Sequence, residues 1–454
     1  MTLSTHRFCY DTVCVVTQDL LILTIRQYCT KRLPDGTLIY PEWWLPCYDL
    51  STEFHLFVSD YRDRLATVRN GSGSDSQACH NSWIVKPAGG TRALGHTIVT
   101  SADEAGLRRI AALCPKVDIL FSSTDPTTVT GVRPLSTPVG DKIAQLLIYR
   151  PLCVYEKKFD LRVFVLVRSF VPFDGKRDLQ CPVYMYCRRH KYYMYAFYVV
   201  FYSTALYRMF VIYVYTAYMH QLFYARLANF KYDTAALECD PEVALTVSAY
   251  NDNAEIAGRQ GRLSRNQLRR ALEKEYAALI QSEKCVSNSP NMPTIPPSFP
   301  WAKLVDDIQT LCTELFAQSA PSIGSWPRSS AYYSLDIMVD ASHAPYKYTP
   351  KLIEVNFNGD WDGVDRACEL DRQDALLLQQ EQQQQQAGLQ QKGDAAHTTH
   401  STDKTYAEYT PPQSEPRFAF QDWIEDVMTV LGTGAALDDN PRLIRLVHTD
   451  NTAS

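Results

Sequence analysis

The chain has 454 residues, 46% hydrophobic and 21% charged, with a formal net charge of -5; this composition excludes a disordered tail and a small disulfide scaffold. The mild negative charge predicts no nucleic-acid partner, and roughly 150 residues per domain gives about three domains or one large enzyme fold with insertions. The 13 cysteines run from Cys9 to Cys368 with no C-x-x-C pair, which argues against a zinc ribbon and for reduced, mostly buried thiols in a cytoplasmic protein.

In chain order, the apolar stretch Val13 to Ile25 is interrupted by Gln18 and Asp19 and lacks the flanks of a secretion signal. In NSWIVKPAGGTRALGHTIVTS, Trp83, Ile84 and Val85 predict a short strand with Lys86 at its end. Gly89, Gly90 and Gly95 with Thr91 and Arg92 then form a flexible loop able to fold its N–H groups over phosphates. Its glycine spacing is that of neither a P-loop nor a dinucleotide-binding turn. In KKFDLRVFVLV, Phe159, Leu161, Val163, Val165 and Val167 alternate with Lys158, Asp160 and Arg162, the period of two of a strand with one core face and one charged face. Alone, such a face is more often an exposed, salt-bridged sheet surface than a site.

Ten of the 28 tyrosines lie between Tyr186 and Tyr218, where only Arg208 is charged from Tyr192 to Met219. Length alone would suit a membrane span, but tyrosine throughout and a central arginine fit one poorly, and the β-branched and aromatic content also suits strands. An inserted segment ranks first, sequence absent from the mature protein is a further reading, and a membrane helix is the alternative. Around Arg262 to Lys284, Leu268, Leu272, Tyr276 and Leu279 predict a helix with Arg262, Arg265, Arg269 and Arg270 about its start. Cations there oppose the helix dipole, so the cluster reads either as a solvated basic face or as a contact for an acidic partner. Trp301, Leu304, Val305, Ile308, Leu311, Cys312, Leu315 and Phe316 predict an amphipathic core helix behind Pro300.

Two more alternating runs follow. In SLDIMVD, Leu335, Ile337 and Val339 alternate with Asp336, Met338 and Asp340; in KLIEVNFNGD, Ile353, Val355 and Phe357 alternate with Glu354, Asn356 and Asn358. The short link between them predicts a hairpin that puts Asp336 and Glu354 on one face. Paired carboxylates beside an asparagine amide offer the oxygen ligands magnesium prefers, and Lys and Arg on a nearby strand would neutralise phosphates. Residues 374–417, with their glutamine run, predict a disordered loop, after which Phe420, Trp423, Ile424, Val427 and Leu431 regain helical spacing.

Taken in order, WIVKP (83–87), KFDLRVFVLVRS (158–169), YSLDIMVD (333–340) and LIEVNFN (352–358) resemble the tubulin–tyrosine ligase-like family. The resemblance implies an α+β ATP-grasp fold, with mixed or antiparallel sheets flanked by helices and two long inserts. It divides the chain into a truncated N-terminal lobe (1–80), a central lobe (81–150), a C-terminal lobe (151–432, with inserts 187–219 and 374–417) and a tail (433–454). PEWWLPCYDLSTEF and FPWAKLVDDIQTLCTELF are most similar to a member type that carries a SET-like domain ahead of the ligase domain, so the chain reads as shortened.

By the same resemblance, Lys86, Arg92, Lys158 and Asp160 bind the nucleotide, and Asp336, Glu354 and Asn356 hold the metal. Arg162, Arg226 in FYARLANF and Glu354 serve catalysis. The implied cofactors are ATP and Mg²⁺, and the implied partners are the acidic C-terminal tail of tubulin and a free tyrosine, glutamate or glycine, joined through an acylphosphate. A cytoplasmic, microtubule-associated location follows from the same source. TRALGH stands where the family has an arginine- and glycine-rich loop, and Leu146 where many members carry lysine. These departures favour a regulatory pseudoenzyme that binds tubulin as the alternative. An ATP-grasp ligase for another substrate is the third reading.

Overall fold

The computed structural model describes residues 16–34, 38–70, 81–88, 95–100, 103–114, 117–121, 129–134, 142–169, 216–233, 261–283, 296–320, 331–357, 361–395, 419–429 and 440–446, with Val243 and Thr246. In the first part of the chain, α1 (Gln18–Thr24) runs into a π-helical turn and is followed by β1 (Lys31–Arg32), β2 (Leu38–Ile39), β3 (Cys47–Asp49), α2 (Phe54–Asn70), β4 (Trp83–Pro87), β5 (Thr97–Val99), α3 (Glu104–Ala112), β6 (Val117–Phe121), β7 (Val129–Pro134) and β8 (Lys142–Leu146). Next come β9 (Cys153–Val154), β10 (Lys157–Ser169), β11 (Thr216–His220), β12 (Tyr224–Leu227), β13 (Arg262–Ser264), α4 (Arg265–Glu283), α5 (Trp301–Ser319), β14 (Ala331–His343), β15 (Lys347–Phe357), α6 (Trp361–Ala395), α7 (Phe420–Met428) and β16 (Leu443–Leu446).

A four-stranded antiparallel sheet runs β3-β8-β4-β5. One of its faces is closed by α2 and α3, which bury Phe57, Tyr61, Leu107 and Ile110 against Trp83, Val85, Ala144 and Leu146. The larger antiparallel sheet is built on β10, which pairs with β12 and β11 along one edge and with β14 along the other, while β9 pairs with its first residues. Phe159, Leu161, Val163, Val165 and Val167 of β10 point into a core completed by α4 and α5, as their alternation requires. On the opposite face Phe164 and Leu166 join Tyr332, Val364 and Ala367 of α6, and Trp423 and Val427 of α7. Towards the start of β10, that second face turns polar.

The predicted α5 forms with its apolar positions buried behind Pro300. The predicted hairpin forms as β14 and β15. Helix α4 begins later than expected, because Arg262–Ser264 pairs with β12 as a strand. Ser264 then starts the helix through a reciprocal capping box, its Oγ accepting from Gln267 N while its own N–H donates to Gln267 Oε1. The reading of the nearby arginines as a contact for an acidic partner is corrected by their internal partners. Arg262 and Arg265 lie over the rings of Tyr224 and Phe223, Arg269 pairs with Glu273, and Arg270 with Asp374 of α6.

Two further expectations change. The Tyr-rich insert was bounded at 219, yet residues 216–220 form β11, hydrogen-bonded between β10 and β16; tyrosine and β-branched residues suit a buried strand. Residues 187–215 lie outside the described residues. The glutamine run read as disordered from 374 continues α6 as far as Ala395. Inability to bury apolar area does not forbid a helix when Leu, Glu and Gln, all good helix formers, fill it. Residues 396–417 lie outside the described residues. Among the described residues no helix is long and apolar enough to cross a membrane, and the described cysteines are free thiols, mostly buried.

Candidate functional site

Strand pairing lines up charges across the polar end of the large sheet. Asp160 of β10 stands opposite Arg226 of β12, Arg162 opposite Asp336 of β14, and Asp336 opposite Glu354 of β15. Directly paired residues share a face, so the row is fixed by register rather than by flexible loops. Arg226 Nε donates to Asp160 Oδ1 at 2.6 Å and its Nη2 lies 2.9 Å from Asp336 Oδ2. Arg162 Nε is 2.7 Å from Asp336 Oδ1. Asn356 Nδ2 donates to Glu354 Oε1 at 3.1 Å and approaches Asp336 at 3.5 Å. Thr246 donates to the other oxygen of Asp160.

Lysines enter from both sheets. Lys86, at the end of β4, is 2% exposed and donates to Gln145 Oε1 of β8 at 2.9 Å. Lys158, at the start of β10, lies with its ammonium 5.8 Å from the ring centroid of Tyr232. The sheets are joined beside them: Pro151 bridges to Asp340, Leu152 N donates to Val339 O, and Leu352 N to Trp43 O. The turn that launches β10 is tight, with Tyr155 at φ 54° and Glu156 at φ 59°, the paired positive values a two-residue hairpin turn of the primed type needs.

Burial and charge perturb these groups in opposite directions. Burial lowers the Lys158 ammonium to about 8 against the pull of Cys153 and Asp160, and lowers Lys86 despite attraction from Glu354 and Asp336. Burial would raise Asp336, but Arg226 and Arg162 outweigh it and hold the carboxyl below the usual range. Glu354 is raised by burial and by the Asp336 carboxylate it hydrogen-bonds. Two carboxyls in register with an asparagine amide beside them are a donor set that a hard divalent cation fits.

Residues 14–195 match the model of the Tubulin-tyrosine ligase family. That stretch is similar to the family, and the match covers less than half of the chain. Comparison with curated proteins finds no match. The ligase-like stretch carries Lys86, Lys158, Asp160 and Arg162. Arg226, Asp336, Glu354 and Asn356 lie beyond it, and the sheet brings them to the same face.

Of the residues expected in the site, Lys86, Lys158, Asp160, Arg162, Arg226, Asp336, Glu354 and Asn356 come together around this face, whereas Arg92 lies outside the described residues. Leu146 is corrected. Paired with Trp83, it packs into the core under α2 with Phe57, and Gln145 is the β8 residue that reaches Lys86. An aliphatic at 146 is therefore a core residue. The sequence reading missed Gln18, whose Nε2 donates to Glu354 Oε2 at 3.2 Å. Its only signal was a polar residue breaking an apolar run. Thr246 and Gln145 were missed for the same reason: single polar side chains acquire meaning only through tertiary placement.

Proposed function

We propose that the chain is an ATP-dependent carboxylate–amine ligase of the tubulin-tyrosine ligase kind, built on an ATP-grasp arrangement of its two sheets. PEWWLPCYDLSTEF and FPWAKLVDDIQTLCTELF support a likeness to the twelfth tubulin–tyrosine ligase-like protein. The observation that carries the reading is the row Arg226, Asp160, Arg162, Asp336 and Glu354, in which both aspartates are buried and the arginines nearly so, with the buried Lys86 close enough to feel Glu354 and Asp336. Salt-bridged sheet faces are usually exposed and worth little; this one is enclosed, where charges act in a low dielectric.

In this reading an acceptor carboxylate of an acidic tubulin tail is phosphorylated by ATP, and the amine of a free amino acid displaces phosphate to form an amide. Lys86 and Lys158 bind the phosphates. Arg226 and Arg162 hold Asp160 and Asp336 in place and stand where negative charge develops. Asp336, Glu354 and Asn356 would hold Mg²⁺, which when bound neutralises phosphate charge and orients the transferring group. Enclosure of the face excludes water from the activated acyl group.

A regulatory protein that binds tubulin without turnover is the second reading, favoured by Asp336, whose two oxygens are already held by guanidinium groups. Incubation with tubulin, nucleotide and labelled amino acids, wild type against Glu354→Gln, separates the two. Amide formation lost in the variant supports the ligase. Tubulin binding without turnover in either protein supports the regulator, and absence of a nucleotide-dependent thermal shift refutes the ATP site.

A further inference from the structure

The glycine-rich loop returns to the sheet at Gly95, whose φ of +75° is a left-handed conformation that glycine adopts without strain. A Cβ there would lie 3.4 Å from the ring of Pro87, so glycine also permits the close approach to β4. The β4–β5 register pairs Trp83 with Val99, Ile84 with Ile98 and Val85 with Thr97. His96 immediately precedes β5, so the same register continued by one step leads towards Lys86, whose charge acts on the ring. His96 Nδ1 is buried with no hydrogen-bond partner, a state that native structures rarely leave unexplained. The charged groups acting on the ring are both cations, Lys86 of β4 and Lys142 of β8; together with burial they push the imidazole down to about 4, so it is neutral at physiological pH. Among the described residues, the charges that act on this idle imidazole are therefore both positive.

We propose that His96 is a phosphate-binding residue of the nucleotide site, taking a proton from solvent when a phosphate chain settles against Lys86 and donating it in a charge-assisted hydrogen bond. The inference rests on the nucleotide reading above and adds to it a chain-specific residue and a proton balance: each bound polyphosphate is accompanied by uptake of a proton onto the imidazole.

The test is calorimetry of ADP and of inorganic tripolyphosphate binding to the full chain, in buffers of different ionisation enthalpy from pH 6 to 8, for wild type, His96→Gln and His96→Asn. Wild type is expected to take up protons beyond those the free nucleotide supplies. The variants lose that uptake and bind both probes about tenfold more weakly, the effect of one charge-assisted hydrogen bond. A second measurement needs no variant to fold well: in wild type, the His96 imidazole resonance moves towards the protonated form as tripolyphosphate is added and stays fixed with adenosine. Equal affinity and equal proton uptake in wild type and variants overturn the inference while leaving the nucleotide site standing, as does an unmoved imidazole resonance. Wild type that binds neither probe overturns the nucleotide reading and this inference together.

Discussion

Replacing Lys158 by methionine is expected to make the unliganded protein more stable. The ammonium is fully buried at the start of β10, and burial brings it from an ordinary 10.5 to about 8. At about 1.4 kcal/mol for each pH unit, keeping the folded lysine charged costs about 3 kcal/mol. The contact with the Tyr232 ring at 5.8 Å returns about 1 kcal/mol, and methionine preserves most of the stem's packing volume. The variant should therefore gain about 2 kcal/mol at pH 7. The unfolded chain binds more protons than the folded one between about 8 and 10.5, so wild-type stability rises across that window and the advantage of the variant fades by its upper end. Urea unfolding followed by tryptophan fluorescence at pH 7 and pH 10.5 measures both values, and a nucleotide thermal shift present in wild type and absent in the variant shows what the lysine is kept for. A variant less stable than wild type at pH 7, or a difference that does not change with pH, would refute the reasoning.

The two carboxylates of the row should behave differently. Asp336→Asn leaves Arg162 and Arg226 buried without their shared counter-ion and should cost about 3–5 kcal/mol in urea unfolding, whereas Glu354→Gln, of the same shape, should cost under about 1 kcal/mol yet remove divalent-dependent nucleotide binding. Gln18→Ala loses the hydrogen bond to Glu354 and should weaken Mn²⁺ binding, read by paramagnetic resonance, by less than Glu354→Gln does; an equal loss would make Gln18 a ligand in its own right. Glu156→Gly relieves a positive φ at a non-glycine residue and should stabilise by about 1 kcal/mol, and a destabilised variant would show that the Glu156 side chain matters more than its backbone.

The strands that carry the site were legible because alternation encodes face directly. Asp336 and Glu354 both fall on the polar parity of their strands; the short connection pairs the strands, and a one-residue irregularity between Asp336 and Ile337 sets the two opposite each other. Leu146 shows the limit of that reasoning. Its face is set by pairing with Trp83 rather than Ile84, a register no local pattern in AQLLIY specifies. Strand β11 hid inside the tyrosine run because its apolar residues serve two faces at once, Ala217 and Met219 towards one core and Tyr218 towards the other, so no alternation of polarity remained to be seen. For α6, lack of apolar surface pointed to disorder while intrinsic propensity pointed to helix, and the helix prevails through Ala395. His96 and Gln18 were silent in the sequence because each is one polar residue delivered to the site by a separate segment.

The arginines and the lysines of the site differ in what would explain them without a ligand. Arg162 and Arg226 are answered by Asp160 and Asp336 at hydrogen-bond distance, so a purely architectural role suffices for both. Lys86 and Lys158 differ in the balance of burial and charge. Both are buried, both are lowered in spite of neighbouring anions, and Lys86 donates to the neutral Gln145. A charged group held against its own desolvation lowers the stability of the empty protein. Binding an anion to the folded state alone recovers that free energy through linkage. In the proposed nucleotide reading the phosphate chain would be that anion, beside the carboxylates that the register of β4, β10, β14 and β15 gathers. The lysines therefore distinguish a ligand site from a salt-bridged sheet face more sharply than the arginines do, and they discriminate equally well whether the chain turns over its substrate or only binds it.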